Sequence, residues 1–275
     1  MKFSIIIPLV PAHDTFLLQL FCTLKLQESF IEDIIIVRSQ SDLDSKIQII
    51  EKFEQWVVDS RLRINPKYIL LEEISLAGEN RNIGWKIAVS DWLCFLDADD
   101  EYAPGMLFEL SRLIVKNKDA NLILHDYFFE HEKRSFPNDV NISLNSNSIL
   151  VSNNDLFSST FPEGFRDLQK EGHLPGDTNL ILPTFKETTY KIHHAHLTVR
   201  NAIREFVEFT DSYRREDGIF CRDVLEKLGG VYYTSQKLSI YRESRTTAKL
   251  SFILVIRKWL SEKLKLRHVI IKSNK

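Results

Sequence analysis

The chain reads as an α/β protein with a mostly parallel central sheet, and three observations carry that reading. Short apolar runs alternate with helix-period segments over the first hundred residues. The run Trp92-Leu93-Cys94-Phe95-Leu96 is too short for a helix and too apolar for a surface strand, as expected of a strand covered on both faces. Three carboxylates, Asp97, Asp99 and Asp100, follow it at once, where open α/β sheets bind ligands.

Phe3–Ile7 is the first predicted strand, closed by Pro8 and Pro11. Thr15 to Gln27 carries Phe16, Leu17, Leu20, Phe21 and Leu24 at helical spacing. Asp33–Val37 is a second buried strand, and Asp44 to Val58 a second helix with Ile47, Ile50, Phe53 and Val57 on one side. Tyr68–Leu71 is a short third strand, and Asn80 to Val89 is a helix leading into Trp92–Leu96. Alternation of this kind implies crossover units. Beyond Asp100, the pattern predicts a helix over Met106–Val115 and a strand over Ala120–Phe129. Residues 131–180 are rich in Asn, Ser, Asp, Gly and Pro and read as long loops or lids. Asp217–Leu228 is helical, and Val231–Tyr241 holds strand-like pieces. The expected organisation is a nucleotide-binding half over residues 1–100, an acceptor-side half of the same domain over 101–248, and a distinct tail over 249–275.

Composition sets outer bounds. The chain has 275 residues, 44% hydrophobic and 27% charged, with a formal charge of −2, so nothing suggests a nucleic-acid binder. Cys22, Cys94 and Cys221 are odd in number and widely spaced, which argues against a disulfide framework or a zinc ribbon and fits a reducing cytoplasm. The first apolar run is too short for a signal peptide, and no stretch reaches the roughly 18 apolar residues of a membrane span.

Three neighbouring acids repel one another unless positive charge sits between them. Mg²⁺ or Mn²⁺, shared with substrate phosphates, meets that need with carboxylate oxygen. The competing reading of Asp-Ala-Asp-Asp-Glu-Tyr-Ala-Pro-Gly is a turn that starts a helix. Glu216 and Asp217 have the same two faces: acids favoured in a helix's first turn, or a positioned base. From the residues alone Arg81 reads as one half of a surface ion pair, and Trp85 and Trp92 read as core in preference to sugar platforms. His193, His194 and His196 lack helical zinc spacing. His125, at the end of a predicted strand, is either a substrate contact or a packed, hydrogen-bonded histidine.

Taken together, FSIIIPL at 3–9, Gln27 before IEDIIIV at 31–37, AGENRNIG at 77–84, FLDADD at 95–100 and RREDGIFCRDVL at 214–225 resemble the family 2 glycosyltransferases. The resemblance spans residues 1 to 245 and implies a GT-A-type, Rossmann-like fold. It implies that Asp97-Ala98-Asp99 is the Asp-x-Asp motif, with Asp99 as main metal ligand, Asp97 as ribose or water-mediated contact, and Asp100 in support. It implies Asp217 as the catalytic base. Pro8, Ser39, Arg81, Asn82, Asp97, Asp99 and Arg242 make up the expected donor-binding set, with Mn²⁺ or Mg²⁺ as cofactor. The expected reaction is an inverting, metal-dependent transfer from a nucleotide-diphosphate sugar, a UDP-sugar foremost, to a saccharide or lipid-linked acceptor in surface polysaccharide synthesis. The alternatives are a sugar-nucleotide nucleotidyltransferase and a non-catalytic sugar- or lipid-binding scaffold.

Three departures from the family pattern stand out. Val37-Arg38-Ser39-Gln40-Ser41 replaces a Val-Asp-Asp-Gly-Ser type of sequence, so the acid that usually reads uracil is missing, leaving Ser39 or Asp42 to substitute. Pro11-Ala12 stands for the usual Tyr-Asn. Tyr241-Arg242-Glu243 stands where Tyr-Arg-x-His is common, so Arg242 and Arg245 are expected to steady phosphates instead of a histidine binding metal.

The tail over 249–275 carries eight basic residues against Glu262 alone, with Phe252, Val255, Ile256, Trp259, Leu260, Leu264 and Leu266 as an apolar face. A basic amphipathic helix of this kind reads as lying on an anionic membrane surface, a peripheral position on the inner face of the cytoplasmic membrane. The alternative is packing on the protein itself or on a second subunit of a homodimer.

Overall fold

The computed structural model describes residues 1–40, 45–129, 148–150, 197–210 and 216–242. The expectations placed on Asp42, Asp44, the 131–180 loops apart from 148–150, His193, His194, His196, Arg245 and the 249–275 tail lie outside the described residues.

One sheet runs through the described residues, its parallel strands at one side and a mixed set at the other. Its first part is the parallel array that the alternation predicts. β1 (Phe3–Leu9) lies between β2 (Ile31–Arg38) and β4 (Trp92–Phe95), and β3 (Lys67–Leu70) flanks β2. The crossover helices are α1 (Leu17–Lys25), α2 (Lys46–Ser60) and α3 (Ala77–Ile87). The second part is mixed: β8 (Leu197–Arg200) enters antiparallel between β4 and β6 (Leu122–Phe129), while β9 (Val231–Tyr241) runs parallel to β6. Edge strands β5 (Glu101–Tyr102) and β7 (Ser148–Leu150) pair antiparallel with β9. Helix α4 (Met106–Lys116) follows β5, and α5 (Glu216–Lys227) precedes β9. No helix among the described residues is long and apolar enough to cross a membrane.

β1 runs through Pro8 rather than stopping before it. Ile6 directs its carbonyl to Leu96 of the β4 side, and alternation points the Pro8 backbone the same way. The β4 pairing ends at Ile6, so the N–H that proline lacks has no strand to meet. The segment before α1 is a tight 3₁₀ stretch over Pro11–Phe16, which shortens the predicted helix. Helix α3 begins at Ala77, three residues earlier than its periodicity suggests. The cap explains this: the Glu79 carboxylate accepts hydrogen bonds from Leu76 N–H (3.0 Å) and the Ser75 hydroxyl (2.9 Å).

Strand alternation divides the core in two. Phe3, Ile5, Ile7, Leu9, Ile34 and Ile36 face α1 and α2. Ile6, Ile35 and Val37 face α3, with Trp85, Phe209 and Phe220. Helix α3 approaches the sheet through Gly84, where a Cβ would come within 2.6 Å of Ile6 Cγ2 and 3.3 Å of Val37 Cγ2. Glycine in a helix interior costs about 1 kcal/mol relative to alanine; the close approach is what it permits, and it sets the height of the α3 N-terminus over the strand ends. Trp85 and Trp92 are both buried core, as expected.

Candidate active site

The carboxyl ends of β1, β2 and β4 meet the N-termini of α3 and α5. Asp97, Asp99 and Asp100 leave β4 in a tight turn closed by Asp100 N–H to Asp97 carbonyl at 3.0 Å. Part of the turn reading is therefore present, and the acids are nonetheless drawn inward: Asp99 and Asp100 are buried, and the Asp97 side chain is 22% exposed.

Arg81 is fully buried and joins the two halves. Its Nη2 donates to Asp97 Oδ1 at 2.9 Å and its Nη1 to Glu216 Oε1 at 3.1 Å. The guanidinium carbon lies 5.4 Å from the Phe209 ring centroid, and Phe209 stacks on Phe220 at 4.2 Å. Both terminal nitrogens are thus committed to protein carboxylates. Asn82, the other residue expected beside the nucleotide, clamps Phe209: its amide donates to the Phe209 carbonyl (2.8 Å) and its carbonyl accepts the Phe209 N–H (2.9 Å).

Asp217 is buried in the first turn of α5, with its Oδ1 accepting Gly218 N–H at 2.8 Å. Burial pushes its carboxyl well above the usual carboxylate range, and the charges of Glu216 and Asp97 add to that. Asp97 is raised to about 7 by burial and by the Asp99 and Glu216 charges, against the pull of Arg81. Burial raises Asp99, opposed by His13 and Arg242, and raises Asp100 well above the ordinary value together with its two acidic neighbours.

The remaining donor-set residues sit at this rim. Arg242 N–H donates to Asp100 Oδ1 at 2.9 Å, and its Nη2 donates to Glu101 Oε1 at 2.9 Å. Ser39 N–H donates to the Leu9 carbonyl at 3.1 Å, tying the ends of β1 and β2 together beside Pro8. Arg38 faces the other side of the sheet and pairs bidentately with Asp14 at 2.8 Å. His13, which sequence reasoning passed over, brings Nδ1 to 3.6 Å from Asp99 Oδ1; no motif in the sequence marks it. The bond of Glu216 to Arg81 joins residues 135 positions apart, a contact that no local pattern marks. His125 takes no place at this rim: it is buried within β6, its Nδ1 2.9 Å from the Asp126 carbonyl.

Among the described residues no group of three metal-ligating side chains forms a ready-made cage. The donor set still fits a hard divalent cation. Several buried carboxylates stand close enough to raise one another, with the Arg81 and Arg242 guanidinium groups and the His13 ring around them. Mg²⁺-like ions bind through one or two carboxylates and substrate phosphates, which such a set can supply.

The family model for Glycosyl transferase family 2 matches residues 4–205. Amylovoran biosynthesis glycosyltransferase AmsB of Erwinia amylovora is 36% identical over 114 residues, 41% of this chain and 36% of that protein. Of the solved structures, S. aureus TarS 1-349 in complex with UDP-GlcNAc superposes with a TM-score of 0.58 at 17% identity, covering 89% of this chain and 59% of that one. TarS 1-349 in complex with UDP gives 0.57 at 16% identity, over 93% and 64%. The chain thus spans under two thirds of the length of the proteins it matches. It belongs to glycosyl transferase family 2, and its fold is the one the resemblance implies.

Proposed function

We propose that this chain catalyses an inverting, metal-dependent transfer of a sugar from a nucleotide-diphosphate donor to a hydroxyl of a saccharide or lipid-linked acceptor. The observation that carries the reading is the buried bridge Asp97–Arg81–Glu216, which sets the carboxylates after β4 and the base candidate Asp217 on one rim. AmsB, named for amylovoran biosynthesis, supports a polysaccharide product, and the UDP-GlcNAc and UDP complexes of TarS support a uridine donor.

Asp99, with Asp97 and Asp100, would hold Mn²⁺ or Mg²⁺. When bound, the cation stabilises negative charge on a departing diphosphate. The chain's own residues supply the rest. Asp217 takes the proton from the acceptor hydroxyl as its oxygen attacks the anomeric carbon. The bond to the diphosphate breaks on the opposite face, and a single displacement inverts the configuration. Burial helps: a carboxylate that holds its proton tightly is a stronger base than one in water. Arg81 holds Asp97 and Glu216 in register, so the donor rim and the base move as one unit. The nucleotidyltransferase alternative calls for a Gly-rich basic loop after β1. Here that place holds the Pro11–Phe16 turn, whose Asp14 is paired with Arg38. The basic tail over 249–275 would seat the protein on the inner face of an anionic membrane, near a lipid-linked acceptor; each basic residue there contributes on the order of 1 kcal/mol.

The test is a thermal-shift screen of UDP-, GDP-, dTDP- and CMP-sugars, with and without Mn²⁺. A nucleotide present at about 100 Kd should stabilise the fold by roughly 2.7 kcal/mol. The expected result is a Mn²⁺-dependent shift with the UDP-sugars. Absence of any shift favours the scaffold alternative.

A further inference from the structure

Asn80 is a buried polar side chain with nothing to bind. It is 1% exposed, yet neither its Oδ1 nor its Nδ2 has a hydrogen-bond partner. Leaving such groups unpaired is costly, and native proteins rarely do so without a reason. The position supplies one. Asn80 precedes Gly84 by one turn of α3, on the face that meets the sheet. Gly84 lies over Ile6, Val37 and Ile35. One turn nearer the strand ends, the same alternation brings Pro8 on β1 and Ser39 after β2 to that face. The unpaired carboxamide therefore stands over the Pro8–Ser39 junction, at the α3 N-terminus, on the β2 side of the Asp97–Asp100 turn.

This placement bears on the acid missing after β2, where Arg38 turns away to Asp14 and Ser39 offers no carboxylate. Resting on the donor-site reading above, we infer that Asn80 reads the base of the donor nucleotide. A carboxamide carries an acceptor and two donors in one plane. Its oxygen can accept N3–H of uracil while its nitrogen donates to the neighbouring ring carbonyl, a paired contact that an isolated serine cannot make. The chain thus reads a uridine diphosphate from α3 rather than from β2. A diphosphate bound at the carboxylate rim owes nothing to this contact, so base and phosphate recognition are separable.

Asn80→Leu tests this in the full-length protein, with Mn²⁺ present and UDP and inorganic pyrophosphate as probes. The expected result has three parts. UDP affinity falls roughly tenfold, the scale of a lost bidentate base contact. Pyrophosphate affinity, measured by competition, stays within about twofold. The melting temperature of the ligand-free protein stays the same or rises by about 3 °C, because an unsatisfied buried amide has been removed. Unchanged UDP affinity overturns the inference. So does a parallel loss of UDP and pyrophosphate binding with a lowered melting temperature, which marks Asn80 as a structural residue. Asn80→Ala, smaller than either side chain, serves if the leucine variant fails to fold, with the same two overturning outcomes. A wild-type protein that binds pyrophosphate but no nucleoside diphosphate also overturns the inference, while leaving the cation–phosphate rim standing. Binding of neither probe by the wild type is the separate failure of the donor-site reading.

Discussion

The two ends of the sheet differ in what they leave unsatisfied. At the foot, where the parallel strands begin, most polar groups are paired, Ser90 Oγ and Asp33 Oδ1 being the exceptions. Asn201 donates to the carbonyls of Ser90 (2.8 Å) and Ala88 (3.3 Å) and accepts the Trp85 indole N–H (3.1 Å). Ser90 N–H meets the Ser4 hydroxyl, and Arg200 caps the carbonyls of Ala120 and Lys118. At the rim, where the same strands end, Asn80 has no partner, the Arg81 Nε is unpaired, and Asp97, Asp99, Asp100 and Asp217 are all held above the ordinary carboxylate range. The foot is held by a closed network around Asn201, whereas the rim gathers four carboxylates of raised pKa beside an unpaired carboxamide. Perturbed titratable groups collected at one end of the strands mark that end as the place for chemistry.

Breaking the rim at its base should give the largest effect. Asp217→Asn keeps the shape and removes the proton acceptor, so transfer should fall by about 10² to 10⁴ while UDP-sugar binding is retained. Initial rates and donor affinity measured on one preparation decide it, and normal transfer by the variant removes Asp217 from the mechanism.

Stability against pH should separate the rim from the sheet interior by sign. Asp97 has its pKa raised from 3.8 to about 7. Its contribution is therefore complete below about pH 3.8 and is lost as pH rises through about 7. His125 is the reverse, lowered from 6.5 to about 4 by burial. Its contribution, on the order of 3 kcal/mol, is complete above pH 6.5 and is lost as pH falls toward 4. Denaturant melts across pH 4 to 9 should show His125→Asn flattening the acid side. Asp97→Asn, or saturating Mn²⁺ in the wild type, should flatten the alkaline side. A Mn²⁺ effect confined to low pH contradicts the carboxylate site.

Weakening the foot should cost stability alone. Asn201→Ala removes three hydrogen bonds around Trp85 and should destabilise the fold by about 2 kcal/mol. Turnover per folded molecule should not change. If turnover drops as much as Asp217→Asn lowers it, the division between foot and rim is wrong.

The α/β class, the order of strands and helices through Phe129 apart from the two-residue β5, the core roles of Trp85 and Trp92, and the carboxylates at the end of β4 are legible in the sequence. Those follow from local period and from residues adjacent in the chain, which need no partner to be legible. Tertiary structure decided what the chain could not announce. Pro8 stays in its strand because β4 ends before reaching it. Strand β8 enters antiparallel from a distant part of the chain. Arg81, readable as a nucleotide contact or as a surface ion pair, is buried and spends both terminal nitrogens on carboxylates 16 and 135 residues away. Asn80, one more polar residue in a helix pattern, becomes informative only when burial shows that nothing satisfies it. Periodicity records which side of an element faces inward, whereas the pairing of a charge or an amide depends on groups that only the closed sheet brings within hydrogen-bond distance.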